Sequence, residues 1–140
     1  LNAFLAVITG CEPQDIDMKS LGCESWCHIT THSGYFQPHH HPNASWSVVY
    51  CVDNGFSGQG SDFEESGHLV FIDPRQASMF LDEYGRQLHR DISFDGAKYF
   101  LENGDVVIFP SYLHHYVSPY YGDSERITVA ANFWGRHRNA

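Results

Sequence analysis

Three histidines stand where a metal ion could use them. The segment Pro38-His39-His40-His41-Pro42 falls in a stretch that reads as a strand. On a strand, residues i and i+2 share a face, so His39 and His41 converge while His40 turns away. Two imidazoles on one face make half of a metal site, since neutral imidazole is the commonest metal ligand. A solvated histidine-rich loop between two prolines is the other reading of the same residues. A second cluster, Gly104 to Val117, runs a strand into Pro110, turns, and opens the next strand with a histidine. Jelly-roll metal enzymes deliver a distal ligand in this way. His115 is preferred to His114 because it shares a face with Val117; two surface histidines are the alternative.

A third segment, Arg126 to Trp134, adds a charge. Alternation places Arg126, Thr128, Ala130 and Asn132 on one face and Ile127, Val129, Ala131 and Phe133 on the other. If the first face lines a barrel, Arg126 needs an anion, because unpaired buried charge is costly. No Asp or Glu stands in an obvious register with it, whereas a ligand carboxylate would meet the guanidinium in bidentate fashion. In the reverse orientation Arg126 is merely solvated.

These side chains need a β scaffold. Strands are expected at Glu24–Thr30, Gln37–His41, Trp46–Val52, His68–Asp73, Asp105–Phe109, His115–Ser118 and Arg126–Trp134, all rich in β-branched and aromatic residues. Turn signals separate them at Ser33-Gly34, Asp53-Asn54-Gly55, Asp73-Pro74, Asn103-Gly104-Asp105 and Tyr121-Gly122-Asp123. A short amphipathic helix is expected at the start, on Leu1, Phe4, Leu5 and Ile8. Residues 75–100 read as a long excursion with some short structure. Many short strands with almost no helix predict a mainly β fold, a sandwich or jelly-roll-like barrel. Trp26, Trp46, Trp134 and Tyr50 read as core or sheet-packing aromatics. His28, His32 and His68 read as ordinary strand or turn residues, and His89 and His137 as solvated.

The chain has 140 residues, which fits one domain over 1–140. It lacks an initiator Met, as a fragment or processed chain would. With 8 Lys+Arg against 17 Asp+Glu, the net charge is −9. A phosphate-backbone binder needs clustered positive charge, so neither nucleic acid nor an anionic membrane is an expected partner. No apolar run reaches the roughly 18 residues of a membrane helix. Leu1–Gly10 precedes Cys11 but is short and has no basic flank, unlike a lipoprotein signal. Cys11, Cys23, Cys27 and Cys51 form neither a disulfide framework nor a zinc spacing, so reduced thiols in a cytoplasmic protein are expected. No Gly-x-Ser-x-Gly elbow frames Ser47, and no phosphate loop or dinucleotide fingerprint is present.

Two histidines, a distal histidine and then an arginine follow the order used by 2-oxoglutarate-dependent non-haem iron oxygenases. The residues Trp26, Pro38-His39-His40-His41-Pro42-Asn43, Trp46-Ser47-Val48-Val49-Tyr50, Phe71-Ile72-Asp73-Pro74-Arg75, Phe109-Pro110-Ser111, His115-Tyr116-Val117 and Arg126-Ile127-Thr128 resemble the 2OG-Fe(II) oxygenase family over about residues 24–134. The resemblance implies a double-stranded β-helix with Fe(II) at its mouth. His39 and His115 would match the two histidine ligands of the wider superfamily. His41 stands where that superfamily usually has Asp or Glu, and the more similar family carries His-x-His-Pro there. Three neutral imidazoles leave the iron two units positive, where a carboxylate would leave one; Asp73 is the nearest carboxylate, unless it only forms an Asp-Pro turn. Arg126 would bind the distal carboxylate of 2-oxoglutarate, with Thr128 and Ser47 adding hydroxyls and Asn132 lying deeper, near metal or substrate. Related oxygenases often place a cosubstrate-binding tyrosine near Cys51, where this chain has Tyr50-Cys51. The implied reaction uses O₂, converts 2-oxoglutarate to succinate and CO₂, and hydroxylates a small-molecule or peptide substrate.

Two other functions compete. A cupin-type metal enzyme without 2-oxoglutarate would fit Gly104, Pro110 and the downstream histidine, but residues 43–50 lack the glutamate of the first cupin motif. A non-catalytic jelly-roll binding module would make the histidines incidental. Exposed sheet edges would permit a homodimer.

Overall fold

Alternating sequence becomes strand wherever the structure, a computed structural model, describes the chain: residues 21–57, 65–74 and 96–135, with Ala6, Gly10, Glu12 and Gln14. Among the described residues the strands are β1 (Leu21–Thr30), β2 (Phe36–His39), β3 (Trp46–Asp53), β4 (Leu69–Phe71), β5 (Ala97–Tyr99), β6 (Val106–Pro110), β7 (His115–Val117) and β8 (Arg126–Gly135). They form two four-stranded sheets, ordered β1-β8-β3-β6 and β2-β7-β4-β5. Every pairing is antiparallel. This is the mainly β, double-stranded β-helix architecture that the sequence predicts. No helix among the described residues is long and apolar enough to cross a membrane.

Strand β8 organises the larger sheet. It pairs with β1 over its whole length, from Thr30 opposite Arg126 to Leu21 opposite Gly135. On its other edge Ser47 stands opposite Asn132 and Cys51 opposite Thr128. Arg126, Thr128, Ala130 and Asn132 are buried, while Ile127, Val129, Ala131 and Phe133 are only half-buried. The polar face of the strand therefore looks inward, against the usual hydrophobic preference. The apolar core lies beside it, between the sheets, on Cys51, Leu69, Phe71, Leu101 and Phe109. Full burial of an aliphatic or aromatic side chain of this size contributes roughly 1.5–3 kcal/mol.

The strand expected at Gln37–His41 stops at His39. Pro38 offers no backbone donor, and the register with β7 shifts between Phe36 and His39, so the ladder ends early. The His41 N–H bonds instead to the Ser111 carbonyl at 2.9 Å. A second difference concerns Tyr50, which is 40% exposed rather than in the core, while its neighbour Cys51 is fully buried; strand alternation allows only one of the two to face inward. The helix expected on Leu1, Phe4, Leu5 and Ile8 lies outside the described residues, as do residues 75–95 of the long excursion. That excursion ends in β5, which pairs with β4.

Turn chemistry closes the end of the barrel near Arg126. Tyr120 is fully buried. Its hydroxyl donates to the Ser124 carbonyl at 2.8 Å. Its backbone N–H donates to Gly34, and its carbonyl accepts from Ser33. Gly55, at φ +75°, packs so closely that an added Cβ would lie 1.9 Å from the Tyr120 hydroxyl. Only glycine meets both demands.

Candidate active site

Strand pairing assembles the histidines. His39 ends β2 directly opposite His115, which opens β7. His41 follows two residues later, its backbone tied to Ser111. The ring centroids are 4.4 Å apart for His39–His115, 5.1 Å for His39–His41 and 5.2 Å for His41–His115. One nitrogen from each ring lies within 4.8 Å of the other two, and no carboxylate joins this group among the described residues. Asp73 is therefore not gathered with the histidines. His40 and His114 stack on each other instead, 4.5 Å between centroids, and both are exposed. The structure thus brings together His39, His41 and His115 and separates His40 and His114 from them.

Backbone carbonyls orient two of the rings. Nδ1 of His39 lies 2.7 Å from the Gln37 carbonyl oxygen, and Nδ1 of His115 lies 2.9 Å from that of Leu113. A carbonyl only accepts, so Nδ1 carries a proton in each ring and Nε2 is the nitrogen that remains to meet a metal. Such a bond fixes both tautomer and ring orientation of a metal-ligating histidine. Burial holds His115 in the neutral form. His115 packs against Phe109, with centroids 4.8 Å apart. Its pKa is pushed down to about 4, chiefly by burial and further by the neighbouring imidazoles, against the opposing Leu113 bond. Burial and His39 also lower His41, partly offset by Glu24. Neutral imidazoles are the form that binds a metal.

The same cavity extends to Arg126. It holds about 480 Å³ counted to its open mouth, and its walls include His39, His41 and His115 together with Ser47, Arg126, Thr128 and Asn132. Arg126 is 3% exposed, and among the described residues no carboxylate pairs with it. Burial lowers its pKa, yet an arginine stays charged in proteins. Thr30, its partner across β1 and β8, has a buried hydroxyl with no hydrogen-bond partner. An unpaired guanidinium beside an orphaned hydroxyl is what a site for a polar anion presents. The three imidazoles, for their part, suit a first-row transition metal with coordination positions left open.

Ser47 and Asn132 are engaged with each other. Ser47 Oγ donates to Asn132 Oδ1 and lies 2.8 Å from Ser111 Oγ. Asn132 Nδ2 donates to Glu24 at 3.2 Å. This chain runs from the exposed Glu24 to the buried Ser111, whose carbonyl holds His41. Sequence reasoning passed over Glu24, Ser111, Trp26 and His28. Trp26 and His28 line the cavity, and the signal was available: Trp26, His28 and Thr30 alternate on β1 as Arg126, Thr128 and Ala130 do on β8.

A sheet pair with three histidines at its mouth and a buried arginine within is the architecture of double-stranded β-helix metal oxygenases. The sequence profile described as "Putative 2OG-Fe(II) oxygenase" matches residues 24–132. The chain belongs to this family. A 2OG-Fe(II) oxygenase family oxidoreductase from Burkholderia pseudomallei is similar in structure, with TM-score 0.60, 13% identity, and coverage of 99% of this chain and 52% of that one. A prolyl-4-hydroxylase from Pseudomonas putida gives TM-score 0.50 and 16% identity over 84% of this chain and 55% of that one. Apo HygX from Streptomyces hygroscopicus gives 0.55 and 13%, over 96% and 67%. The chain thus spans about half the length of the first two structures. No curated protein sequence matches it.

Proposed function

We propose that this chain is an Fe(II)- and 2-oxoglutarate-dependent oxygenase domain. His39, His41 and His115 hold the metal, and Arg126 with Thr128 holds the distal carboxylate of 2-oxoglutarate. One observation carries the reading: a guanidinium only 3% exposed, without a carboxylate partner among the described residues, in the cavity that the three imidazoles line. A cupin-type metal enzyme without a dicarboxylate gives that charge nothing to do.

Bound iron with its keto acid supplies oxygen activation coupled to oxidative decarboxylation, yielding succinate, CO₂ and a hydroxylated product. The chain's own residues do the rest. Gln37 and Leu113 carbonyls keep His39 and His115 in the Nδ1–H tautomer. The chain from Glu24 through Asn132 and Ser47 to Ser111 sets the backbone of His41. Val49, Leu69, Phe109 and Val117 give the cavity an apolar wall, which excludes water and strengthens the interaction of Arg126 with an anion. The substrate is a small molecule or a peptide.

The test is the weak visible charge-transfer band of an Fe(II)–keto acid chelate, recorded without oxygen. Wild type should show it, Arg126→Met should lose it at matched 2-oxoglutarate concentration, and His39→Ala and His115→Ala should lose the metal. Metal binding with no band in wild type would reject the keto acid, and no metal binding would reject the reading altogether.

A further inference from the structure

Nothing above gives His28 a task, although its ring lines the cavity. The indole Nε1 of Trp26 lies 2.8 Å from His28 Nε2 and donates to it. Indole N–H is a donor only, so Nε2 must be the bare nitrogen and the His28 proton must sit on Nδ1. Among the described residues no group accepts from that Nδ1–H. The ring is held from a second side by Phe36, with centroids 4.4 Å apart. The result is one donor, of fixed tautomer, left over in a cavity.

Its place in the ladder says what it would meet. On the inward face of β1 and β8 the cross-strand pairs run Thr30–Arg126, His28–Thr128, Trp26–Ala130 and Glu24–Asn132. Trp26 lies against His41, 5.9 Å between centroids. His28 is therefore one step from Arg126 on one side, and on the other is bonded to the residue that touches the histidine cluster. His28 lines the same cavity as Arg126 and the three histidines.

We infer that His28 is a further ligand-binding residue of this site: its Nδ1–H, fixed in place by the Trp26 indole, donates a hydrogen bond to a carboxylate or keto oxygen of the bound 2-oxoglutarate. This rests on the function proposed above, and deepens it by adding a contact made by this chain's Trp26-x-His28 pair. A hydrogen bond to an ionised acceptor is among the stronger kind. Its loss should weaken binding roughly 10-fold or more.

The experiment is calorimetric titration of 2-oxoglutarate into Mn(II)-loaded protein without turnover, for wild type, His28→Phe, His28→Asn, Trp26→Phe and Arg126→Met. His28→Phe keeps a ring against Phe36 and should bind 2-oxoglutarate roughly 10-fold more weakly or worse, with Mn(II) affinity unchanged. His28→Asn, which keeps a donor, should recover part of the loss. Trp26→Phe, which frees the tautomer, should fall between wild type and His28→Phe. Unchanged affinity in His28→Phe, with affinity lost in Arg126→Met, would overturn the inference and leave the proposed function standing. Unchanged affinity in both would overturn both. Should His28→Phe fail to fold, histidine side-chain nitrogen NMR of the Zn(II)-loaded wild type decides. A protonated His28 Nδ1 whose signal shifts on adding 2-oxoglutarate supports the contact; a protonated Nε2, or no shift at saturation, overturns it.

Discussion

Arg126 is buried with no carboxylate partner among the described residues, and burial of an unpaired charge is costly in the ligand-free protein. Arg126→Met fills a similar volume without charge, and such replacements of buried ionic groups are often neutral or stabilising by about 1–4 kcal/mol. The metal-free variant should therefore unfold at a urea concentration equal to or above that of wild type, while failing to bind 2-oxoglutarate. A clear drop in the urea midpoint would show that Arg126 is a structural residue. His115 makes a second prediction. Its pKa in the folded protein is about 4, below the roughly 6.5 of an unfolded chain. Between those values the unfolded chain binds a proton that the native ring refuses, so His115 favours folding fully above pH 6.5 and less as pH falls toward 4. Metal-free wild type should lose stability between pH 7 and 5 more steeply than His115→Phe. Equal slopes in denaturant titrations would show that the ring is not held neutral by burial. Spacing made His39, His41 and His115 legible as candidate ligands beside a solvated reading, and the family resemblance favoured the metal site. Alternation put His28 on one face with Trp26 and Thr30, but its Trp26 bond and its register with Thr128 were not legible.

At the scale of elements, β8 carries the polar face and the loop before it aims Arg126. That loop is held by Tyr120, and Gly55 and Gly122 both make room for its hydroxyl. An added Cβ at Gly55 would meet the Tyr120 hydroxyl at 1.9 Å and the Glu125 and Ser124 carbonyl oxygens at 3.0 Å, on a backbone at φ +75°. Gly55→Ala should cost roughly 1–3 kcal/mol, through strain and overpacking, and should weaken 2-oxoglutarate binding with it. Removing the hydroxyl by Tyr120→Phe in the same chain should recover part of that loss, read as coupling in a double-mutant cycle. Strictly additive effects would mean that the strain lies in the backbone alone. The alternation of Arg126 to Phe133 was readable in the sequence, but which face turned inward was not. Both orientations satisfy a strand, and only pairing with β1 on one side and β3 on the other selects one.

For the whole molecule, binding and folding are linked. Ligands that bind only the native state stabilise it by mass action, roughly 2.7 kcal/mol at a concentration 100 times the Kd. Anaerobic Fe(II) with 2-oxoglutarate should raise Tm above that of Fe(II) alone in wild type. In Arg126→Met the increment from 2-oxoglutarate should vanish while the increment from Fe(II) remains. An increment that survives in Arg126→Met would place the keto acid elsewhere.

The family resemblance added the ligand set and the roles of Thr128, Ser47 and Asn132, while composition and periodicity were sufficient for the mainly β class, most of the strands, and the face that Arg126, Thr128 and Asn132 share. These follow from local rules: alternation decides which residues share a face, and glycine-rich turns decide where strands end. The early end of β2 at His39, the outward turn of Tyr50 and the engagement of Ser47 with Asn132 and Ser111, and of Asn132 with Glu24, depend on partners distant in sequence, so no local rule contains them. The same holds for the orphaned Thr30 hydroxyl and the pinned tautomer of His28. Their chemistry is that of polar groups taken out of water, which must find partners wherever the fold brings one close, and only the tertiary structure decides which groups are left without one.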